Sequence, residues 1–174
     1  MKKTGFAWGL VVLLTLAPNA QAQDMPKTCT TQAPAPAELA PWNSPVPLAA
    51  AATPSQTSRA ALAVGQAARL TLRPTPEVRY PLRPEKAGGS VSHGGLVRID
   101  VRTAGTYRVA LGSAAWIDLV RGTKAVTSTA HGHGPDCTGI RKMVDFPLTP
   151  GRYTLQIAAN GDAQTTVLVV RLPS

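Results

Sequence analysis

Apolar and polar residues alternate along most of the chain from residue 61 onward, and this period of two limits the fold more than any other feature. In the segments 67–73 (AARLTLR) and 97–101 (VRIDV), most apolar side chains are separated by one polar residue. Such alternation turns one face of an extended strand toward a core and the other toward solvent. Since no stretch after the first 22 residues keeps a 3.6-residue period over about ten positions, we expect strands and no long helix.

Turn signals such as Gly122-Thr123, Thr149-Pro150-Gly151 and Asn160-Gly161-Asp162 separate the alternating segments. Short strands with regular turns are typical of an all-β sandwich. The last strand is apolar on both faces, which indicates a central position. We therefore predict an antiparallel β-sandwich of roughly seven to nine strands, with a jelly roll as the nearest variant. The predicted strands are 67–73, 77–82, 97–101, 107–111, 116–121, 125–130, 143–148, 152–158 and 166–172.

The strands 97–101 and 107–111 are joined by the turn residues Thr103, Ala104 and Gly105. A hairpin with this short loop places Asp100 opposite Arg108 on the outer face. The opposite charges favour this register. The prediction is that both strands belong to one sheet.

Residues 1–22 have the composition of a cleaved secretory signal. Lys2 and Lys3 precede an apolar run over 6–17, and Ala20-Gln21-Ala22 supplies the small residues of a cleavage site. The apolar run is short for a membrane span, so a retained anchor is the weaker alternative. We expect a periplasmic or secreted protein whose mature chain begins at Gln23.

Residues 23–60 form a Pro/Ala-rich N-terminal segment, and residues 61–174 form the predicted sandwich domain. Frequent prolines remove backbone donors, so this segment is expected to be extended or irregular and mostly linker. Trp42 is the exception, since a tryptophan in such a segment can dock on the domain.

Basic residues outnumber acidic ones, and loss of Lys2 and Lys3 lowers the formal charge from +9 to +7. The arginines are scattered from Arg59 to Arg171 instead of clustered, which argues against a nucleic-acid partner. An anionic envelope component or a small ligand is the expected partner, and a merely solvated basic surface is the alternative. Arg98, Arg102 and Arg108 are the candidate ligand-binding residues on the outer face of the predicted hairpin.

The chain has two cysteines, Cys29 and Cys137. In an oxidising compartment an isolated pair most often forms a disulfide. Such a bond would tie the N-terminal segment to the loop at 131–137.

That loop, within TAHGHGPDCTGIRK (129–142), is the candidate metal site. In an extended chain His131 and His133 lie on the same face, and Asp136 and His93 could add further ligands. Iron, copper or zinc accepts such donors. The alternative is a tight loop of Gly132, Gly134 and Pro135 whose imidazoles bind backbone or solvent.

Other catalytic patterns have little support. The chain lacks a Gly-x-Ser-x-Gly elbow, and its serines near histidines follow no triad order. Asp100, Asp118 and Asp145 fit outward strand positions beside arginines better than a pair of catalytic carboxylates. We therefore expect a binding or accessory module of the cell envelope rather than an enzyme.

From about residue 61 onward the chain resembles short exported proteins of Gram-negative bacteria, some of which carry the name homogentisate 1,2-dioxygenase. The resemblance is carried by RPEKAGGS (83–90), AGTYRVALGSAAWIDLVRG (104–122), AHGHGPDCTGIRKMVDFPLTPGRY (130–153) and LQIAANG (155–161). The Gly-Thr-Tyr and Pro-Gly-Arg-Tyr segments also look like strand pairs of exported pre-peptidase C-terminal sandwiches.

The dioxygenase name implies an iron(II) enzyme that opens an aromatic ring, with iron held by two histidines and a glutamate. His131 and His133 are the counterparts of that histidine pair. Where the pattern has its glutamate, four to five residues after the second histidine, this chain has Cys137 and Thr138. A metal-binding protein or small metal-dependent oxidoreductase is thus the alternative function.

Overall fold

A computed structural model describes residues 28–173, so the predicted signal peptide lies outside the described residues. Twelve strands and three short 3₁₀ helices make up the regular structure of this range. The helices are Ala37–Asn43, Pro54–Arg59 and Thr75–Glu77. The strands are β1 (Val46–Ala49), β2 (Ala61–Leu62), β3 (Ala67–Thr71), β4 (Arg73–Pro74), β5 (His93–Val101), β6 (Gly105–Leu111), β7 (Trp116–Arg121), β8 (Lys124–Ala125), β9 (Ala130–Gly132), β10 (Lys142–Leu148), β11 (Gly151–Asn160) and β12 (Gln164–Arg171).

The strands form two sheets packed face to face, which confirms the predicted β-sandwich. Sheet A has the order β1-β3-β12-β6-β10-β9, and sheet B has the order β2-β5-β11-β7-β8, with β4 also beside β5. Seven strands have five or more residues, and the other five are shorter. The longer strands pair antiparallel, whereas β1 pairs parallel with β3 and β2 pairs parallel with β5. The prediction of a wholly antiparallel fold is therefore wrong at these two short strands.

The alternating residues supply the core between the sheets. Val97, Ile99 and Val101 of β5 face it from sheet B, and the alternate residues of β6 face it from sheet A. The predicted central strand is confirmed, since β12 lies between β3 and β6. Its Val167 and Val169 enter the main core, while Leu168 and Val170 are buried on the outer face of sheet A. A strand covered on both sides needs apolar residues at every position.

The N-terminal segment covers that outer face. Leu39 and Trp42 lie three residues apart in the first 3₁₀ helix, so both side chains point to the sheet. They pack with Ala67, Ala110, Leu168 and Val170 of sheet A. The chain then adds β1 to the edge of this sheet.

The same segment continues over the outer face of sheet B. Ala51 and Ala60 are buried there against Leu96 and Val78. The expectation of a linker is therefore wrong for residues 35–60, which are part of the sandwich. Proline has no backbone N–H group, so it excludes long regular elements. Short 3₁₀ turns and an edge strand tolerate it, because they do not need that hydrogen-bond donor at every position.

The predicted hairpin between β5 and β6 is also wrong, because β5 lies in sheet B and β6 in sheet A. Asp100 is opposite Arg152 of β11, and Arg108 is opposite Asp145 of β10. A link over 102–104 can extend to about 14 Å, which suffices to cross the roughly 10 Å between packed sheets. The same residues face inward whether β5 and β6 form a hairpin or lie in different sheets. The alternation of apolar and polar residues therefore could not distinguish the two arrangements.

Two other predicted strands are mostly irregular. Glu77 ends the third 3₁₀ helix and residues 78–82 join no sheet, where Pro81 removes a backbone donor. Of residues 125–130, only the two ends lie in strands, β8 and β9. The part between them crosses from sheet B to sheet A.

Candidate functional site

A short crossing segment closes one side of the sandwich. Residues 126–129 form this strap: the Val126 amide donates to the Leu119 carbonyl of β7 (2.7 Å), and the Thr129 amide donates to the Asp145 carbonyl of β10 (2.8 Å). The strand β8 pairs only with the end of β7, at Val120 and Arg121. The beginning of β7 therefore stays open beside the strap.

A cavity of about 280 Å³ occupies this opening, and we call it the Trp116 pocket. It lies between the beginning of β7 in sheet B and β9 and β10 in sheet A. Part of its wall is the end of the main core, since Ile117, Val144 and Phe146 belong to both. The lining residues are Trp116, Ile117, Asp118, Val126, Ser128, His131, Lys142, Val144 and Phe146.

Hydrogen bonds hold the Trp116 ring in place. Its Nε1 donates to Asp118 Oδ2 (3.1 Å), and the same oxygen accepts a second hydrogen bond from Gln156 Nε2 (2.7 Å). Gln156 is 1% exposed and its Nε2 also donates to the Leu82 carbonyl (3.0 Å). The indole is thus oriented by a partly buried network of hydrogen bonds within the protein.

Two lysine ammonium groups lie close to this indole. Lys86 Nζ is 5.5 Å from the Trp116 ring centroid and Lys142 Nζ is 5.9 Å from it, both within cation–π range. Lys142 Nζ also donates to the Ala115 carbonyl (2.7 Å). Burial, and secondly the charge of Lys86, lower the pKa of Lys142 below its ordinary value.

Among residues 28–173, neither of these cations makes an ion pair within 4.0 Å of a carboxylate oxygen. The Asp118 carboxylate nevertheless lines the same pocket as Lys142. The Trp116 pocket therefore combines an apolar wall with the ammonium group of Lys142 and the carboxylate of Asp118, while Lys86 adds a second positive charge near the Trp116 ring from outside the lining.

The structure separates the two candidate histidines. His131, on β9, lines the Trp116 pocket. His133 lies beyond β9 in a second cavity of about 990 Å³ with Asp136 and the disulfide, and its Nδ1 donates to the Arg141 carbonyl (3.2 Å). His93 begins β5 in sheet B, opposite Asn160.

These positions bear on the metal hypothesis. Within the part of the chain that the structure describes, His, Cys, Asp and Glu form no group of three or more able to hold a metal ion. The donor set near His131 and His133 does not fit the two-histidine, one-glutamate site that the resemblance implies. The spacing of two residues was compatible with a shared ligand, but the strand ends between them.

The loop instead carries the predicted disulfide, which is confirmed. Cys29 and Cys137 are bonded across 108 positions of sequence. Around this bond the Ala33 amide donates to the Cys137 carbonyl (2.8 Å), and Gln32 Nε2 and Trp42 Nε1 both donate to the Thr138 carbonyl (3.1 and 3.0 Å). The disulfide and these hydrogen bonds attach the N-terminal segment to the loop.

The three candidate arginines do not share one face, so that prediction is wrong. Arg108 lies on sheet A and binds Asp145 through two hydrogen bonds of 2.8 Å. The hydrogen bond to Asp145 raises the pKa of Arg108 above its ordinary value, against a smaller effect of burial. This guanidinium is engaged in a buried structural pair.

Arg98 lies on β5 of the other sheet, and Arg102 lies in the link that follows this strand. Arg98 Nε lies 3.1 Å from Asp100 Oδ2 but without hydrogen-bond geometry, and Arg152 approaches the same carboxylate at 3.5 Å. Arg102 is exposed and lines a separate cavity of about 500 Å³ with Tyr107 and Arg171. Neither residue contributes to the Trp116 pocket.

Sequence reasoning missed Lys86, Trp116 and Lys142 as site residues. For Lys142 a signal was present: it lies in phase with Val144, Phe146 and Leu148, so a charged residue occupies an inward position at a strand end. Lys86 lies in an irregular segment 30 positions before Trp116, and no periodicity connects the two.

Neither a protein-family model nor a curated protein matches the chain. Among solved structures, the chain is similar to the pre-peptidase C-terminal domain of a collagenase from Bacillus anthracis, with a TM-score of 0.41 and 13% identity. The match covers 63% of this chain and 91% of that domain. Within residues 28–173, the helices are all too short or too polar to cross a bilayer.

Proposed function

We propose that the protein is an exported binding module of the cell envelope that holds a small ligand in the Trp116 pocket without transforming it. One observation carries the proposal: an indole fixed by a partly buried hydrogen-bond network faces a solvent-accessible cavity between the two sheets. Pre-formed apolar pockets with a few polar groups are the usual form of small-molecule sites.

The disulfide supports export. Cysteine pairs persist in oxidising compartments and are rare in the cytoplasm, where thiols are kept reduced. Cys29 and Cys137 join two distant parts of the fold, as a structural disulfide does. Together with the signal-like residues 1–22, this supports a periplasmic or secreted location.

The arrangement of titratable groups supports binding over catalysis. General acid–base chemistry needs a proton donor and a base within hydrogen-bond reach of one reacting atom. In the Trp116 pocket, one Asp118 oxygen already accepts two hydrogen bonds. Asp145 is similarly engaged by Arg108. His131 remains as one exposed imidazole at the pocket wall.

The test is a thermal-shift screen of the mature chain with benzyl alcohol, benzoate, 1-octanol and octanoate, followed by mass spectrometry of the recovered compound. We expect at least one compound to raise the melting temperature of the wild type and to be recovered unchanged. The Trp116→Ala variant should lose the shift, while Trp42→Phe, which alters the other tryptophan, should keep it.

Two results would contradict the proposal. One is the absence of any shift, or a shift that persists in Trp116→Ala. The other is conversion of a bound compound to a product of different mass, which would indicate an enzyme.

A further inference from the structure

We infer that the ligand of the Trp116 pocket is a small amphiphilic anion, a carboxylate on a short acyl chain or a single ring, with its oxygens at Lys86 and Lys142. This inference rests on the proposed function and specifies its ligand class. The apolar body would fill the cavity, and the carboxylate would lie at Lys142, with Lys86 adding a second positive charge near the indole.

The size and lining of the cavity define the body of the ligand. Val126, Val144 and Phe146 form an apolar wall, and the volume is about 280 Å³. A cavity of about 150 Å³ is enough for benzene, so this space accommodates one ring with a substituent or a chain of several carbons. Polysaccharide and folded protein are too large to enter it.

The charges at the mouth define the head of the ligand. Lys86 and Lys142 both lie within 6 Å of the Trp116 centroid, and their mutual repulsion is among the causes that lower the pKa of Lys142. The two like charges repel, and an anion beside the partly buried Lys142 reduces this cost. A cationic ligand would add a third positive charge.

The Asp118 carboxylate in the lining opposes an anion, but its Oδ2 atom is held by protein donors, and the other polar groups of the lining can bind an oxyanion. The Asp118 Oδ2 atom accepts hydrogen bonds from Trp116 and Gln156, so this carboxylate is turned toward protein donors. Ser128 and His131 can each donate a hydrogen bond to an oxyanion. Lysine binds carboxylates and phosphates alike as a point charge, so the headgroup could also come from an anionic lipid.

The experiment is isothermal titration calorimetry of the mature chain at low ionic strength with octanoate, 1-octanol and acetate. Octanoate carries both body and charge, 1-octanol carries the body alone, and acetate carries the charge alone. We expect octanoate to bind tightest and its affinity to fall as salt is added.

Lysine variants identify the cations. Lys86→Met and Lys142→Met should each weaken octanoate binding about three- to fivefold, without changing the affinity for 1-octanol. Lys124→Met is the matched control, because Lys124 lies on β8 and, unlike Lys86 and Lys142, is not within cation–π range of the Trp116 ring, so it should not affect binding. Lys86 is exposed, so Lys86→Met should leave the fold intact. It keeps the test usable even if Lys142→Met disturbs the fold.

The outcomes separate this inference from the proposed function. If 1-octanol binds as tightly as octanoate, or if both lysine variants leave octanoate binding unchanged, the anion class is wrong but the binding module stands. If none of the compounds binds in a Trp116-dependent way, the proposed function itself fails. Lysine-dependent binding to phosphatidylglycerol vesicles without octanoate binding would overturn the assignment of a free carboxylate.

Discussion

The two tryptophans of the described chain occupy opposite kinds of place. Trp42 is 5% exposed, packs with Leu39 and Leu168, and donates its Nε1 hydrogen to the Thr138 carbonyl. Trp116 is half-buried, faces a cavity, and lies beside two lysines. Both indoles donate a hydrogen bond, so this bond alone does not distinguish the roles of the two tryptophans.

The difference is in what surrounds the rings. Trp42 also borders a cavity, of about 710 Å³, but its ring is covered by the N-terminal segment and the outer face of sheet A, so the residue contributes mainly to stability. Around Trp116 an apolar wall and the charges of two lysines stay accessible to solvent. This arrangement contributes little to stability and is suited to binding a ligand. A stability role and a binding role are thus assigned to different parts of one sandwich.

The largest effect is expected from Trp42→Ala. Removal of this buried ring should lower the free energy of unfolding by about 3–5 kcal/mol, since it loses apolar burial and leaves a cavity. Trp116→Ala should cost about 1 kcal/mol, because its ring is already partly in water. Urea unfolding followed by circular dichroism measures both, and equal losses would contradict the comparison.

The next largest effect is expected from the disulfide. Cys29→Ser with Cys137→Ser should lower the free energy of unfolding by about 2–4 kcal/mol, since the bond restrains a long loop in the unfolded chain. Reduced wild-type protein should have the same melting temperature as the variant. If either treatment also abolished ligand binding in the Trp116 pocket, the two regions would not be independent.

The smallest effect is expected from the two histidines. The double variant His131→Ala, His133→Ala should change the free energy of unfolding by no more than about 0.5 kcal/mol, because both side chains are exposed and line different cavities. Measuring the metal content of the protein by mass spectrometry tests the metal hypothesis more directly than the free energy of unfolding does. Stoichiometric iron, copper or zinc in the wild type that is absent from the variant would restore the metal hypothesis.

Several elements could be predicted from local pattern. The strands β3, β7, β10, β11 and β12 coincide with predicted segments, since each has its own alternation and its own turn signals. The disulfide could be predicted for a different reason: only two cysteines are available, so pairing leaves no choice.

The Trp116 pocket could not be predicted in this way. Lys86, Trp116 and Lys142 come from three separate segments, and only the crossing of the strap at 126–129 creates the space between them. The sequence points to His131 because of its neighbour His133. In the structure His131 lies in this pocket, whereas His133 lines a different cavity.

By itself the sequence determined most of the longer strands, the turns between several of them and the cysteine pair, because these depend on residues that are close in the chain or unique in it. Only the tertiary structure decided that β5 and β6 lie in different sheets, that the proline-rich segment covers both of them, and where the pocket forms. Alternation specifies which face of a strand is buried. The choice of pairing partner depends on contacts such as Arg108 with Asp145, which join residues far apart in sequence.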